Sequence, residues 1–228
     1  IDANSLWNLI VDSATKTAEP GLMMWDTITN NLPAHEYSDV GFNTVTTNPC
    51  GEIPLSPYDS CRLIAINLVN FVENPYTDSA AFNSAKFKEV SKKAMRLSDD
   101  LVELEIEKLH KILEKVDTED ETILWTNLLS ACTRGRRTGL GTLGLADTLS
   151  RLGVVYGSKA SLKIIDEIYS NLKKSAYEES VNLAEERGSF PVFDWEKERN
   201  NNFIQSLPDD LSSRMSKVGR RNISILTN

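Results

Sequence analysis

The sequence predicts an α/β protein that is mostly helical and contains two or three strands. Residues 87–116 and 161–187 repeat apolar side chains at the 3.6-residue spacing of a helix. Residues 63–72 and 223–226 are instead rich in β-branched side chains, which favour strands. Prolines and a glycine interrupt residues 47–61, which predicts a stiff loop rather than a central strand because proline removes a backbone donor.

Composition and charge limit the classes of function. The 228-residue chain is 40% hydrophobic and 25% charged, as is typical of globular proteins. Its net charge of −8 argues against nucleic-acid binding, because neutralising phosphates requires a basic face. No apolar run reaches the ~20 residues of a membrane span, and no signal peptide is evident. We therefore expect a cytoplasmic protein without a nucleic-acid or membrane partner.

Cysteine and histidine usage bears on redox and metal chemistry. The chain has three cysteines, Cys50, Cys61 and Cys132, too few for the disulfide framework of a secreted domain. Its two histidines, His35 and His110, complete none of the usual zinc spacings, so no metal site is predicted. We therefore interpret the cysteines as thiols with a catalytic role in a reducing compartment, rather than as disulfides or zinc ligands.

The remaining helices follow from periodicity and from residues that end helices. Residues 4–18 have helical spacing and stop before Pro20. Residues 22–25, a methionine–tryptophan cluster, predict a short buried segment. Residues 119–132 predict a second amphipathic helix, and residues 207–215 predict a short one.

The loop at residues 47–61 carries the most chemistry. An amide, a thiol and a carboxylate alternate there as Asn48, Cys50 and Glu52, and Cys61 follows Cys50 by eleven residues. In an extended backbone, alternate side chains project to the same side, so we expect these three groups to converge on one ligand. A lone cysteine is more often a small buried hydrophobic residue, so Cys50 gains its interest from its neighbours.

A second motif lies at residues 134–145. Gly139, Gly141 and Gly144 fit the G-x-G-x-x-G pattern of dinucleotide sites, and Asp166 lies 22 residues beyond the last of them. A Rossmann turn needs a hydrophobic strand before the first glycine, and an arginine-rich segment stands there instead. The alternative is a glycine-rich helix face that packs closely under the loop. The arginines could attract phosphate, although packing or ion pairs are the simpler interpretation.

The string NPCGEIPLSPYDSC resembles the active-site finger loop of ribonucleotide reductase large subunits. The spacing of Cys50 and Cys61 is most similar to the adenosylcobalamin-dependent class II, and RRTGLGTLGLAD also has a counterpart in the family. The resemblance implies part of a ten-stranded α/β barrel with an inward finger loop. It covers residues 1–228 as the central part of the catalytic barrel domain, without a complete second domain. The implied segments are a finger loop at 43–60, a strand at about 61–72, a helical region at 85–187 and a terminal strand at 222–227.

The resemblance also implies roles for individual residues. Cys50 becomes the thiyl radical that abstracts the 3′ hydrogen of the ribose, and Glu52 acts as the base on the 3′ hydroxyl. Asn48 holds a ribose hydroxyl and orients Glu52, so both residues bind substrate as well. Cys61 supplies reducing equivalents as the 2′ hydroxyl leaves as water. Cys132 matches no catalytic position of the family and is interpreted as structural.

The implied partners are a ribonucleoside di- or triphosphate and a thioredoxin-like or dithiol reductant. The implied cofactor is adenosylcobalamin, with a diiron radical-generating subunit as the alternative; no residue that would bind it is identified. The family's second redox cysteine and its Pro-Thr-Gly phosphate turn have no match in this sequence. We therefore expect a fragment that needs the remaining segments of the reductase for activity. A non-catalytic assembly piece and a dehydrogenase that uses Gly139, Gly141 and Gly144 remain the alternatives.

Overall fold

The computed structural model describes residues 1–60 and 62–226. Helices make up most of the ordered structure in these residues. The α-helices are α1 (Ala3–Thr17), α2 (Trp25–Asn31), α3 (Ser84–Leu113), α4 (Glu119–Gly135), α5 (Leu145–Arg151), α6 (Lys159–Arg187), α7 (Trp195–Glu198), α8 (Asn202–Gln205) and α9 (Asp209–Val218). Within this described part of the chain, no helix is long and apolar enough to cross a membrane.

The strands are short and pair two by two. They are β1 (Thr46–Thr47), β2 (Pro54–Leu55), β3 (Leu63–Asn67), β4 (Val72–Glu73), β5 (Ala81–Phe82) and β6 (Gly139–Leu143). The β1–β2 and β4–β5 pairs are antiparallel, whereas β3 and β6 run parallel, with Leu63 opposite Gly139. Leu226 adds a parallel bridge to Leu140. The central sheet is therefore an open parallel wall, as expected for one part of an α/β barrel.

Two packed helices connect the parallel strands. The side chain of Asn83 caps α3 by accepting a hydrogen bond from the Lys86 backbone N–H at 2.8 Å. Thr118 caps α4 in the same way, through the backbone N–H of Glu121 at 3.3 Å. The contact between the two helices buries Val102, Leu109 and Cys132. This helical connection is long enough to return the chain parallel to β3.

The main core lies between the parallel strands and the helices α3, α6 and α9. Ser158 caps α6 through the Ser161 N–H at 3.1 Å, and the helix ends at Gly188, which has a φ of +84°. The fully buried side chains of this core include Leu68, Phe87, Met95, Leu140, Ile168, Leu172, Val181, Met215 and Ile225. The core therefore holds the parallel strands against the helices α3, α6 and α9.

The strand expected at about 61–72 is shorter than the sequence indicates. β3 ends at Asn67, whose side chain accepts a hydrogen bond from the Val69 N–H at 3.2 Å and starts a 3₁₀ turn at Leu68–Phe71. Asparagine competes in this way for local backbone donors, so the β-branched run does not continue as one strand. The helical region expected at 85–187 is also interrupted, because β6 lies within it.

The prediction of a buried segment at residues 22–25 was wrong. Leu22, Met23 and Met24 are 51%, 46% and 65% exposed, and Trp25 is 37% exposed. The helix α1 forms close to its predicted bounds, yet none of its residues is buried. An apolar face is buried only when another layer covers it, and none of the described residues provides that layer here.

A buried carboxylate, Asp99, joins distant parts of the chain. Its oxygens accept hydrogen bonds from Arg136 at 2.8 and 3.1 Å and from Asn222 at 3.0 Å. Arg187 and Arg221 lie 3.3 and 3.4 Å from its second oxygen. Asp99 therefore links α3 to the end of α4, to the end of α6 and to the terminal segment.

Candidate active site

Residues 43–60, the predicted finger loop, contain a hairpin whose limbs are β1 and β2. Thr47 pairs with Pro54 across the hairpin. Beyond this pair, the Asn48 N–H donates to the Ile53 carbonyl at 3.2 Å, and the Gly51 N–H donates to the Asn48 carbonyl at 3.0 Å. Residues 48–51 therefore form a β-turn, and Pro49 and Cys50 occupy its two central positions.

The turn overturns one expectation about the loop. The sequence predicted an extended backbone that would send Asn48, Cys50 and Glu52 to the same side, but residues 48–51 turn back on themselves. Proline presets the φ of the first central position, and Gly51 takes a φ of +81°, which other residues adopt only with strain. Alternation along a strand therefore does not describe the arrangement of the three side chains.

The side chain of Asn48 stabilises the turn. Its Oδ1 accepts a hydrogen bond from the Ile53 N–H at 3.0 Å. Asparagine carries an acceptor oxygen and a separate NH₂ group with two donors. The Oδ1 contact holds the turn, and the NH₂ group carries the two donors with which Asn48 would bind a ligand.

Cys50 and Glu52 occupy different environments. The Cys50 side chain is exposed at the tip of the turn, whereas Glu52 is partly buried. Glu52 lines a cavity of about 460 Å³ together with residues of α6 and of the terminal segment, and Asn48 and Cys50 are not among the described residues that line it. The carboxylate thus lines an open cavity, and the thiol is exposed at the tip of the adjoining turn.

The prediction for Cys61 falls outside the described residues. Its sequence neighbours Asp59, Ser60 and Arg62 belong to an ionic network that we call the loop-base network, completed by Glu105 and Arg137. Asp59 pairs with the Arg137 Nε at 2.5 Å, and the Ser60 hydroxyl donates to Glu105 at 2.8 Å. Arg62 pairs with Glu105 and donates to the Arg137 carbonyl at 2.5 Å. The returning limb of the finger loop is therefore tied to α3 and to the segment that precedes β6.

The glycine-rich segment forms β6, and the predicted helix face was wrong. A Cβ atom on Gly139 would lie 3.2 Å from the Ile53 side chain and 3.0 Å from the Leu63 side chain. Such contacts are tighter than most real Cβ contacts, so glycine lets the finger loop approach the strand closely. The expected close packing under the loop therefore occurs, on a strand instead of a helix.

The dinucleotide interpretation fails on the order of elements. Gly139 and Gly141 lie inside β6, and the element before them is the helix α4. Gly144 precedes α5, a helix of only seven residues. A Rossmann fingerprint instead places its first glycine at the turn after a strand. The described residues therefore do not form a Rossmann phosphate-binding turn at this motif.

Comparison with known proteins decides the family. Residues 1–227 match the model of the family described as "Ribonucleotide reductase, barrel domain". The chain belongs to this family. The predicted partial barrel is thereby confirmed, and a solved Actinobacillus ureae class Id ribonucleotide reductase alpha subunit supports it with a TM-score of 0.67. That structure shares 21% identity and is matched over 98% of this chain and 35% of its own, which shows the fold alone.

Similar curated proteins carry reductase names. A "vitamin B12-dependent ribonucleoside-diphosphate reductase" of Thermoplasma acidophilum is 33% identical over 87% of this chain. A protein of the same name from Mycobacterium tuberculosis is 31% identical over 84% of this chain. The aligned parts make up 23% and 24% of those two proteins, so this barrel-domain chain spans about a quarter of their length.

Cys132 contacts the loop-base network of this reductase barrel domain from the side of α4. Its sulfur accepts a hydrogen bond from the Arg62 guanidinium at 2.9 Å, and the side chain is buried. Burial raises the pKa of the Cys132 thiol to about 11, although the nearby charge of Arg62 opposes the shift. The thiol is therefore protonated near neutral pH and unreactive, which agrees with a structural role.

The two described cysteines should differ sharply in reactivity. At pH 7, iodoacetamide is expected to alkylate the exposed Cys50 at least about tenfold faster than Cys132, because thiolate character and access govern the rate. Peptide mapping by mass spectrometry gives the two rates. In urea the two rates should converge, and equal rates in the folded protein would contradict the arrangement described here.

Proposed function

We propose that this chain is the central part, residues 1–228, of the catalytic barrel of a ribonucleotide reductase, with residues 43–60 as its finger loop. The observation that carries the proposal is the turn at residues 48–51. It places the Cys50 thiol at an exposed tip, and Glu52, next in the chain after Gly51, lines a nucleotide-sized cavity. Cavities of this size are typical of small-molecule sites. Membership of the reductase barrel family supports the same reading.

The proposed chemistry divides among three side chains of the loop. A radical on the Cys50 sulfur removes the 3′ hydrogen of the ribose, and the regenerated S–H bond returns a hydrogen at the end of turnover. Glu52 accepts the proton of the 3′ hydroxyl, which requires hydrogen-bond reach between carboxylate and hydroxyl. The NH₂ group of Asn48 donates to a ribose hydroxyl, while its oxygen stays bound within the loop. Asn48 thereby couples the shape of the turn to the position of the substrate.

The reduction also needs two electrons and two protons from outside the ribose. A pair of thiols supplies them: the 2′ hydroxyl leaves as water and the thiols become a disulfide. Cys61 is the proposed first member of this pair. Its partner and the thioredoxin-like or dithiol reductant that restores the pair lie outside this chain. The substrate is a ribonucleoside di- or triphosphate.

Adenosylcobalamin is the proposed radical source. Two of the similar proteins carry vitamin B12-dependent names, which favours it over a diiron subunit. The protein fits a large group near the thiol, because a Cβ on Gly51 would lie 3.5 Å from the Met23 sulfur and Met23 is 46% exposed, so accessible apolar surface adjoins the tip of the turn. When bound, the cofactor supplies the initial radical. The chain's own contribution is to hold the Cys50 sulfur where that radical can reach it.

Turnover should depend on Cys50. In an enzyme reconstituted from this chain and the remaining segments, Cys50→Ser is expected to lower deoxyribonucleotide formation by at least about 10³-fold, because a hydroxyl cannot replace the redox-active thiol. The assay contains ribonucleotide, adenosylcobalamin and a dithiol, with product measured by chromatography. The matched control, Cys132→Ser, should retain most of the activity.

Other outcomes of this experiment decide between the proposals. Unchanged turnover in Cys50→Ser would leave only a structural or assembly role for the chain. Robust product formation by the isolated chain would contradict its dependence on further segments. Activity without adenosylcobalamin, but with a diiron subunit, would overturn the cofactor assignment alone.

A further inference from the structure

The entering limb of the finger loop is hydrogen-bonded to a histidine. The backbone N–H of Thr44 donates to the His35 Nδ1 atom at 3.2 Å. Thr44 is 6% exposed, so this backbone donor has little access to water and needs an acceptor within the protein. The hydroxyl oxygen of Thr44 is also buried and has no hydrogen-bond partner among the described residues. The imidazole of His35 therefore satisfies a donor that would be costly to leave unpaired.

The 3₁₀ helix that carries His35, Pro33–Val40, is firmly attached to the rest of the protein. Tyr37 on this helix is fully buried, and its ring packs edge-on against Phe190 with 5.3 Å between the ring centroids. The Tyr37 hydroxyl donates to the Glu198 carboxylate at 2.9 Å. An acceptor on this helix therefore has a fixed position, which suits it to hold a neighbouring segment in place.

The bond to His35 connects the loop to an element outside the hairpin. Within the hairpin, the Val45 N–H donates to the Leu55 carbonyl at 3.0 Å, which holds the two limbs to each other. One residue earlier, the bond between Thr44 and His35 fixes the entering limb to the 3₁₀ helix. The loop-base network fixes the returning limb. A hairpin that is held at both limbs presents its tip, and hence the Cys50 thiol, in one place.

The bond requires that the His35 Nδ1 atom carries no proton. A neutral imidazole has one acceptor nitrogen, whereas both nitrogens of an imidazolium are donors. Histidine is the side chain that gains its charge between about pH 5 and 8. As the pH falls through this range, protonation of His35 removes the acceptor and sets two N–H groups against each other.

Charged groups near the 3₁₀ helix are engaged with other partners. The charged groups on this helix and on the elements packed against it have hydrogen-bond or ion-pair partners other than His35: Glu36, Asp39, Arg134, Lys197, Glu198 and Arg220. Glu36, the sequence neighbour of His35, accepts a hydrogen bond from Asn201 at 2.9 Å. The imidazole is therefore the titrating group that contacts the Thr44 amide directly.

We propose that neutral His35 is a positioning residue for the finger loop and acts through the Thr44 amide. The assignment rests on the proposed function, because a reactive thiol and carboxylate work efficiently only when they are held in place. His35 touches neither the substrate nor the thiol in this role. It makes the placement of the loop, and with it the reaction, sensitive to acid.

Amide hydrogen exchange of the 228-residue chain, followed by NMR at about pH 8 and about pH 5, tests the contact. Protection is calculated against an unstructured amide at the same pH. In the wild type, the Thr44 amide should lose protection at least about fivefold at the lower pH. His35→Phe should give the low protection at both pH values. His35→Asn, whose side-chain oxygen is an acceptor that does not ionise, should keep the high protection at both.

The other histidine supplies the matched control. His110→Asn changes an exposed histidine on α3 and should behave like the wild type. Protection of Thr44 that does not depend on pH in the wild type would overturn the assignment, as would a pH dependence that persists in His35→Asn. An equal loss of protection at Val45 would also overturn it, because the Leu55 carbonyl does not titrate and the loss would mean that the whole loop opens.

The positioning role is tested by turnover of the reconstituted enzyme. At about pH 8, His35→Phe should lower kcat at least about threefold, whereas His35→Asn should restore it. Circular dichroism verifies that each variant is folded. An unchanged kcat in His35→Phe would overturn the positioning role. The proposed function fails separately, because Cys50→Ser should abolish turnover and leave the exchange of the Thr44 amide as in the wild type.

Discussion

Replacing Asp59 with alanine is expected to lower the free energy of unfolding by about 3–5 kcal/mol. The side chains of Asp59 and Arg137 are 2% and 1% exposed, and they form a close ion pair. Within the described residues, neither terminal nitrogen of Arg137 has a hydrogen-bond partner. Removing the carboxylate therefore leaves a buried guanidinium without its counter-charge. Urea denaturation followed by circular dichroism measures the loss.

A double variant separates the cost of the stranded charge from the value of the pair. Asp59→Leu combined with Arg137→Met removes both charges, and replacing a buried ion pair with apolar residues is often nearly neutral. We expect it to recover most of the stability lost in the single variant. If the double variant were as unstable as Asp59→Ala, the stranded Arg137 charge would not explain the loss.

Replacing Asp99 with asparagine is expected to lower the free energy of unfolding by about 3 kcal/mol. The substitution keeps the shape of the side chain but removes the charge that faces the buried Arg136. Glu103, which also contacts Arg136 at 2.7 Å, moderates the effect. Asp100→Asn is the matched control, because that neighbouring carboxylate is 49% exposed and should change stability by no more than about 0.5 kcal/mol.

Asp99 should also contribute to the loss of stability in acid. Burial alone raises the pKa of its carboxyl, but the charge and hydrogen bonds of Arg136, with help from Arg221 and Asn222, outweigh burial and leave the pKa below its usual value. A folded-state pKa below the unfolded value stabilises the protein above about pH 3.9, and this contribution disappears as the pH falls through the folded value. The stability of Asp99→Asn should therefore depend less steeply on pH below about 4. Parallel curves for the variant and the wild type would contradict this.

The helices were predictable from the sequence because their signals are local. Apolar spacing and a closing glycine place α6, and similar spacing places α3 close to its observed bounds. β3 was predicted too long, since the capping side chain of Asn67 was overlooked. The exposure of Met23 and Met24 could not be predicted, because burial depends on which other layer covers a segment.

The sequence indicated which residues form the candidate site, but it did not indicate how their side chains are arranged. The loop was recognised from the order of Asn48, Cys50 and Glu52, but its turn depends on Pro49 and Gly51 acting together. The loop-base network was missed because its pairs lie far apart in the chain, as Asp59 and Arg137 do. The run of arginines before β6 was the available signal, and ion pairing was the correct interpretation of it.

The parallel pairing of β3 with β6 has a consequence for how the protein folds. Leu63 meets Gly139 only after the intervening chain of about 75 residues has closed into a loop, which carries a large entropic cost. The α3–α4 hairpin consists of local contacts and offsets much of that cost if it forms first. We therefore expect the parallel wall that supports the loop at residues 43–60 to form after the α3–α4 hairpin, so that the thiol-bearing tip gains its support late in folding.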